Sequence, residues 1–267
     1  MISRVLRLGF ALALACALLP VPSVRAQATA AQAPAAPQKP ADTVLPAAQT
    51  IIDRHIEATG GRKALQAINS VNIKGSITIP ANGMTGTIEL SAARPNKSRL
   101  KTDLAGIGEI LEGFDGTTAW SMSPMTGPML AAGAELEQKI FDSDFDRGLG
   151  IAHKYESITT TEKTTFEGRP VYRVELTKKG GPTDVEFYDV ETGLKAGGII
   201  ERTNPMGTIS ATSAVSEYKK FGDLLHPTVL KQTVSGVQII TTFTSVEYNK
   251  VEPAVFELPA AIKALIK

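Results

Sequence analysis

Cysteine is nearly missing from this chain of 267 residues: the one present, Cys16, lies in an apolar leader. If that leader is cut after Ala26, the remaining chain has no thiol, which excludes disulfides and thiol chemistry. Aromatic residues make up only 6% of the sequence, with a single tryptophan, Trp120. Histidine occurs three times, as His55, His153 and His226, too far apart for local ligand spacing. Isolated surface or core histidines are therefore expected, and no metal site. No run of basic residues could neutralise a row of phosphates, so nucleic-acid binding is excluded. A long hydrophobic run is also lacking. The stretch from Leu8 to Val21 is 14 residues, short of the roughly 20 that a membrane-spanning helix needs.

What is present at the start is an export layout. Arg4 and Arg7 precede the apolar stretch, and Val24-Arg25-Ala26 ends it on small residues, the pattern of a cleaved secretory signal over residues 1–26. Cys16 has two readings, a small apolar residue inside the signal or the acylated first residue of an outer-membrane lipoprotein. The residues before it, Ala13-Leu14-Ala15, lack the usual leucine three positions earlier, and the apolar run continues past it. Removing Arg4, Arg7 and Arg25 leaves 25 basic residues against 27 acidic ones, a net charge of −2. Residues 27–42 are rich in Ala, Pro and Gln and form a flexible tether. Residues 43–267 suit one domain with a large core.

Within that domain, Leu45, Ala48, Ile52, His55 and Ile56 share one face at helical spacing, and Gly60-Gly61 stands where a helix would stop. A short helical piece, Arg62 to Ile68, follows. Then the period becomes two. Val71, Ile73, Ile77 and Ile79 alternate, the Pro80-Ala81-Asn82-Gly83 turn follows, and Met84, Ile88 and Leu90 resume on the returning strand of a hairpin. About a dozen short strands punctuated by Asp115-Gly116, Glu167-Gly168, Gly180-Gly181-Pro182, Glu191-Thr192-Gly193 and Ser235-Gly236 predict an antiparallel meander. One segment breaks the rhythm: Leu130 to Phe141 is helical in composition, and Asp142 to His153 extends it as a second short helix. So long a sheet must curl or be covered. The expected fold is α+β, mainly β, with a strongly curved antiparallel sheet, an incomplete β-barrel, under a few helices.

Catalytic signatures fail. There is no G-x-S-x-G, H-E-x-x-H or G-x-x-x-x-G-K-[ST], and Gly106-Ile107-Gly108 reaches Leu111 where a third glycine belongs. Asp142-Ser143-Asp144-Phe145-Asp146 imitates half a calcium loop, then places Arg147 where glycine is required; its carboxylates suit a helix start. Glu175 with Glu186, and Asp184 with Asp189, are expected on solvated strand faces rather than as a general acid and base. Neither catalytic residues nor a cofactor are expected, and hydrolysis is the least favoured activity.

Ala93-Arg94-Pro95-Asn96-Lys97, followed by Asp115-Gly116-Thr117-Thr118-Ala119-Trp120, resembles the R-P-N strand start and D-G-x-x-x-W strand of the LolA-like periplasmic lipoprotein carriers. The leading helix with its Gly60-Gly61 stop, the Asp189 to Leu194 turn and the closing Val255-Phe256-Glu257-Leu258-Pro259 are similar to the wider outer-membrane lipoprotein-sorting relatives. The resemblance runs from about Val44 to Pro259. It implies a half-barrel whose open side is closed by lid helices over an apolar cavity for acyl chains, and it gives Arg94 the role of a latch on the lid. The Pro-rich leader and the Ala/Gly-rich lid segment depart from the best-known carriers and put the cargo in question.

Phe114, Trp120, Met122, Met125, Met129 and Leu130 are the candidate cavity mouth or lid. Methionine adapts to exchangeable apolar partners, and tryptophan joins a large ring to a polar N–H. For Trp120 the alternative is ordinary core between sheet and lid; the three methionines suit a deformable rim in a loop. The partners implied are acyl chains of lipoproteins or another lipid, with peripheral membrane contact, in the periplasm. The alternative is an envelope regulatory or interaction module that senses lipid or a protein partner through the same sheet.

Overall fold

Period-two alternation and glycine-bearing turns build the molecule, and the pairing register decides which residues of each strand face inward. The computed structural model describes residues 44–149, 154–204 and 207–266. The expected signal (1–26) and tether (27–42), with Cys16, and also His153, lie outside the described residues.

Helix α1 (Ala48–Ala58) buries Ala48, Ile51, Ile52, His55 and Ile56, the face that the helical spacing predicts. It stops at Gly60 and Gly61, whose φ angles are 125° and 86°, a backbone region that favours glycine. A Cβ on Gly60 would stand 2.7 Å from the Asp223 carbonyl oxygen, so the stop is also a close approach. Helix α2 (Arg62–Gln66) follows.

Thirteen strands then form one sheet: β1 (Ser70–Ile79), β2 (Met84–Ala93), β3 (Lys97–Leu104), β4 (Gly108–Phe114), β5 (Ala119–Ser123), β6 (Gly127–Leu130), β7 (Tyr155–Phe166), β8 (Arg169–Lys178), β9 (Thr183–Asp189), β10 (Lys195–Asn204), β11 (Gly207–Phe221), β12 (Leu224–Val234) and β13 (Val237–Tyr248). Their order is β6-β5-β4-β3-β2-β1-β13-β12-β11-β10-β9-β8-β7, and neighbours are antiparallel. The chain starts at the middle, meanders to the β6 edge, crosses to the β7 edge, and meanders back until β13 closes on β1. The edges β6 and β7 do not pair, so the barrel is incomplete.

The crossing between edges carries α3 (Gly133–Ser143). It touches β4 and β5 on one side and β10 on the other, and so bridges the open side as a lid. The predicted helix from Leu130 begins at Gly133, because Gly127–Leu130 is the edge strand β6, paired with β5. Asp142 ends the helix instead of starting one: the Arg147 guanidinium, 2.9 Å away, supplies the positive charge that the expectation assigned to a helix N-terminus. After β13 the chain passes through a 3₁₀ turn (Pro253–Phe256) and a short helix α4 (Ala260–Lys263). No described helix is long and apolar enough to cross a membrane.

Candidate functional site

The register aligns Phe114 with Ser98, Leu100 with Leu90, Gly75 with Phe243, and Val215 with Leu230. These positions form the inner, concave face. Its largest apolar cluster joins α1, α2 and the lid segment to strands β1, β2, β3, β7, β8, β9, β11, β12 and β13 through Ile52, Leu65, Ile73, Leu90, Phe145, Leu176 and Phe243, among others. Along the same face, away from α1, a second cluster comprises Ile77, Ile79, Leu104 and Ile239, with Met84, Ile107, Ile110 and Val237 against it. It contains no helix residue. The concave inner face, the trough, is thus filled by short helices and the lid segment at one end, and closed on buried strand residues alone at the other.

Polar ties secure the lid. Lys139 of α3 lies 3.7 Å from Glu112 of β4, and Lys178 of β8 donates to Gln138 of α3 at 3.3 Å. Phe141 is the lid's main apolar anchor: its ring meets Tyr155 edge-on at 5.6 Å and lies under Arg147 at 4.8 Å and Lys178 at 5.0 Å. Ile140 on the other side of α3 is exposed. The helix thus combines one ion pair to β4 and one hydrogen bond to β8 with an apolar anchor, Phe141, that packs on the main cluster; its polar groups regain water if it lifts.

Arg94 sits where the lid segment meets the helices. Its Nε donates to the Ile68 carbonyl at 2.7 Å, one terminal nitrogen donates to the Gln66 carbonyl at 3.3 Å, and the other pairs with Asp146. Its guanidinium also lies 5.2 Å from the Phe145 ring centre. Phe145 in turn donates its backbone N–H to Pro95. The planar fork thereby ties the end of α2 to the segment after α3. Beside it a groove of about 570 Å³ opens between α3 and the β2–β3 turn, lined in part by Pro95, Asn96, Ile140, Phe141 and Lys154.

The six residues predicted for a cavity mouth are divided between two faces. Phe114 is fully buried on the inner face. Trp120 pairs with Gly113 and Met122 with Leu111, which places both on the outer face. There Leu111, Trp120 and Met122 pack against Leu258 and Ile262 of the C-terminal segment. The indole lies over Gly113, where a Cβ would stand 2.5 Å from its ring carbons. Leu130 pairs with Trp120, while Met129 pairs with Ser121 on the other face. Met125, Met129 and Leu130 are exposed, Met125 in the β5–β6 turn and the other two in the edge strand.

The acidic pairs are not solvated faces, except in part Glu175, which pairs with Arg173. Glu186 is buried with Lys195 at 3.0 Å and accepts from Tyr188; Asp184 is buried 3.5 Å from Lys178. These acids point inward because Val185 and Phe187, their alternating neighbours, take the outer face. There they cluster with Val171, Ala196 and Phe166, and Phe166 stacks on Phe187 at 4.3 Å. Asp189 caps the β9–β10 turn. Burial pushes its carboxyl up, but N–H groups of Thr192 and Glu191 and the Thr192 hydroxyl hold it below the usual range.

His55 and His226 are core histidines. His55 meets Tyr188 edge-on at 5.4 Å, and His226 lies between Phe221 and Phe243. Burial pushes the His226 imidazole down to about 4. No group of three or more His, Cys, Asp or Glu is placed to hold a metal among the described residues.

A curved, unclosed antiparallel sheet with a helical lid on the connection between its edges defines the LolA-like fold. Among solved structures, the LolA superfamily protein NE2245 from Nitrosomonas europaea superposes with a TM-score of 0.53 at 12% identity, over 80% of this chain and 99% of that one. A putative outer membrane lipoprotein-sorting protein domain from Vibrio parahaemolyticus gives 0.50 at 14% identity, over 79% and 97%. A DUF1329 family protein from Desulfovibrio piger gives 0.53 at 12% identity, also over 79% and 97%. No protein-family model and no curated protein matches the sequence. The likeness is one of fold.

Proposed function

We propose that the trough binds acyl chains, and that the protein is a periplasmic binding and transfer protein for lipoprotein acyl groups or a related lipid rather than an enzyme. The observation that carries this is the helix-free apolar cluster of Ile77, Ile79, Leu104 and Ile239 on the inner face, with Ile110 against it two residues from Glu112, where Lys139 of the lid helix meets β4. The lipoprotein-sorting description of the Vibrio structure supports the same reading.

At ~0.8 kcal/mol per buried CH₂, a chain of about 16 carbons removed from water contributes on the order of 12 kcal/mol before entropy and strain are subtracted. Binding so favourable opposes release. A carrier needs a loaded, open state and an empty, closed state of similar free energy, so that lid closure offsets part of the loss on delivery. The Arg94 ties, the Lys139–Glu112 ion pair and the Lys178–Gln138 hydrogen bond are the contacts that closure would restore.

Native mass spectrometry and lipid extraction of exported, mature protein test the proposal. Co-purifying acyl species are expected. Protein that is repeatedly empty and also rejects fluorescent acyl probes would refute it.

A further inference from the structure

Two polar side chains interrupt the apolar trough without any partner. Gln232 of β12 and Thr241 of β13 are 3% and 1% exposed, and the Gln232 Oε1 and Thr241 Oγ1 atoms have no hydrogen-bond partner among the described residues. Both point to the inner face. Thr241 lies opposite Leu230 and Ile77, and Gln232 lies opposite Ile239 and Ser213. Since Leu230 is two residues from Gln232, the two are diagonal neighbours, on the order of 7 Å apart between Cα atoms. A ligand atom seated between them would be within hydrogen-bond reach of both.

A buried hydroxyl or amide with no partner destabilises a fold, and Val or Leu would fill these places with similar volume and no unmet polar atom. The polar groups are therefore better explained by a ligand than by packing. Their immediate neighbours on this face, Ile77, Leu230, Ile239 and Ser213, carry no charge, which suits a neutral group over a carboxylate or phosphate. The threonine hydroxyl can donate, and the glutamine amide can present its N–H by a half-turn of its terminal torsion.

The geometry points to a polar subsite at Gln232 and Thr241 that receives the carbonyl of an acyl linkage, ester or amide, while the attached chain lies along Ile77, Ile79, Leu104 and Ile239. This rests on the acyl-binding reading and sharpens it: the ligand is an acylated molecule held by its linkage, and a bare hydrocarbon is a poor substitute.

The test uses mature protein and three pyrene-labelled probes of equal chain length: an alkane, a monoacylglycerol ester and an N-acylethanolamine amide. Wild type should bind the ester or the amide, or both, about tenfold more tightly than the alkane, and the preferred arm identifies the source of the carbonyl. Thr241→Val and Gln232→Leu should each remove most of that preference by weakening ester or amide binding, with alkane affinity equal to or tighter than that of wild type. Their melting temperatures without ligand should equal or exceed that of wild type, which separates lost recognition from lost folding. Equal affinity of wild type for all three probes, or variants that keep the preference, would overturn the subsite and leave the apolar trough standing. Rejection of every probe by wild type would overturn the acyl-binding reading and the subsite with it.

Discussion

Acid should destabilise this fold through His226, and the size of the effect follows from its surroundings. The imidazole has no exposed surface. It lies 5.8 Å from the Phe243 ring and 6.3 Å from the Phe221 ring, edge-on to both. Its Nδ1 is 2.6 Å from the Pro227 carbonyl oxygen, which fixes the neutral tautomer with Nδ1–H as donor. Nε2 has no partner among the described residues, so a second proton there would be a buried, unmet charge. The folded value of about 4 lies below the ordinary 6.5. Between those values the unfolded chain binds the proton and the folded one does not, so stability falls as pH drops from about 6.5 and the loss levels off below about 4. Linkage gives about 2 kcal/mol lost by pH 5 and about 3 kcal/mol by pH 4, relative to pH 7. His226→Phe keeps an aromatic ring in the site and removes the titration. Urea unfolding of both proteins from pH 7 to pH 4 isolates the term as the difference between their curves, since the carboxylates are common to both. The variant should gain on wild type by about 3 kcal/mol across that range. A difference that stays flat with pH would refute the buried, neutral imidazole.

Arg94→Leu removes the ties to Gln66, Ile68 and Asp146; amide exchange over residues 141–149 should quicken by one to two orders of magnitude, equivalent to about 1–3 kcal/mol. If Arg94 is the latch of a carrier, acyl release should change more than uptake, and unchanged transfer kinetics would remove it from the mechanism. Ile262→Ala opens a cavity beside Trp120, so unfolding should become easier by about 2–4 kcal/mol and tryptophan emission should shift to longer wavelength; an unchanged spectrum would mean that α4 does not cover the indole. Glu186→Gln leaves Lys195 buried opposite a neutral amide and should cost about 3 kcal/mol in urea unfolding at pH 7, whereas a surface pair would cost under about 1 kcal/mol.

Strand positions were legible because period-two alternation is local and Gly-bearing turns mark its ends. Which face each strand buries was not, because that depends on pairing partners far along the chain. In β9 the alternation of Val185 and Phe187 with Asp184 and Glu186 suggests an apolar core face and a wet acidic one. The structure reverses this, since Phe166 covers the apolar pair on the outside and Lys195 and Lys178 meet the acids inside. Trp120 and Met122 went to the outer face for a similar reason. Their register with Gly113 and Leu111 sets the side, and a C-terminal segment more than 130 residues away supplies the cover. Strand β6 has little sequence signal because Gly127 and Pro128 resemble a loop, although proline suits an edge strand whose N–H side is unpaired. Arg94 could be singled out from its R-P-N setting, but its acceptors on Ile68, Gln66 and Asp146 are matters of tertiary placement. Gln232 and Thr241 carried no sequence signal, since polar residues in strands ordinarily face water.

The covers on the two faces of the sheet differ in kind. On the outside, Phe166 stacks on Phe187 over the β8–β10 end, and Leu258 and Ile262 pack on Trp120 over the β4–β6 end. These are apolar contacts, and separating them exposes hydrocarbon with no compensating gain. On the inside, the lid between the sheet edges adds to its Phe141 anchor on Tyr155 the polar ties of Lys139 to Glu112, Gln138 to Lys178 and Arg94 to Asp146, groups that would regain water if the lid lifted. Apolar clamps at both ends of the outer face resist flattening of the curved sheet, so an opening motion falls to α3 and its flanking segments. On the acyl-binding proposal, a ligand entering under α3 would meet a trough whose shape the outer clamps have already set.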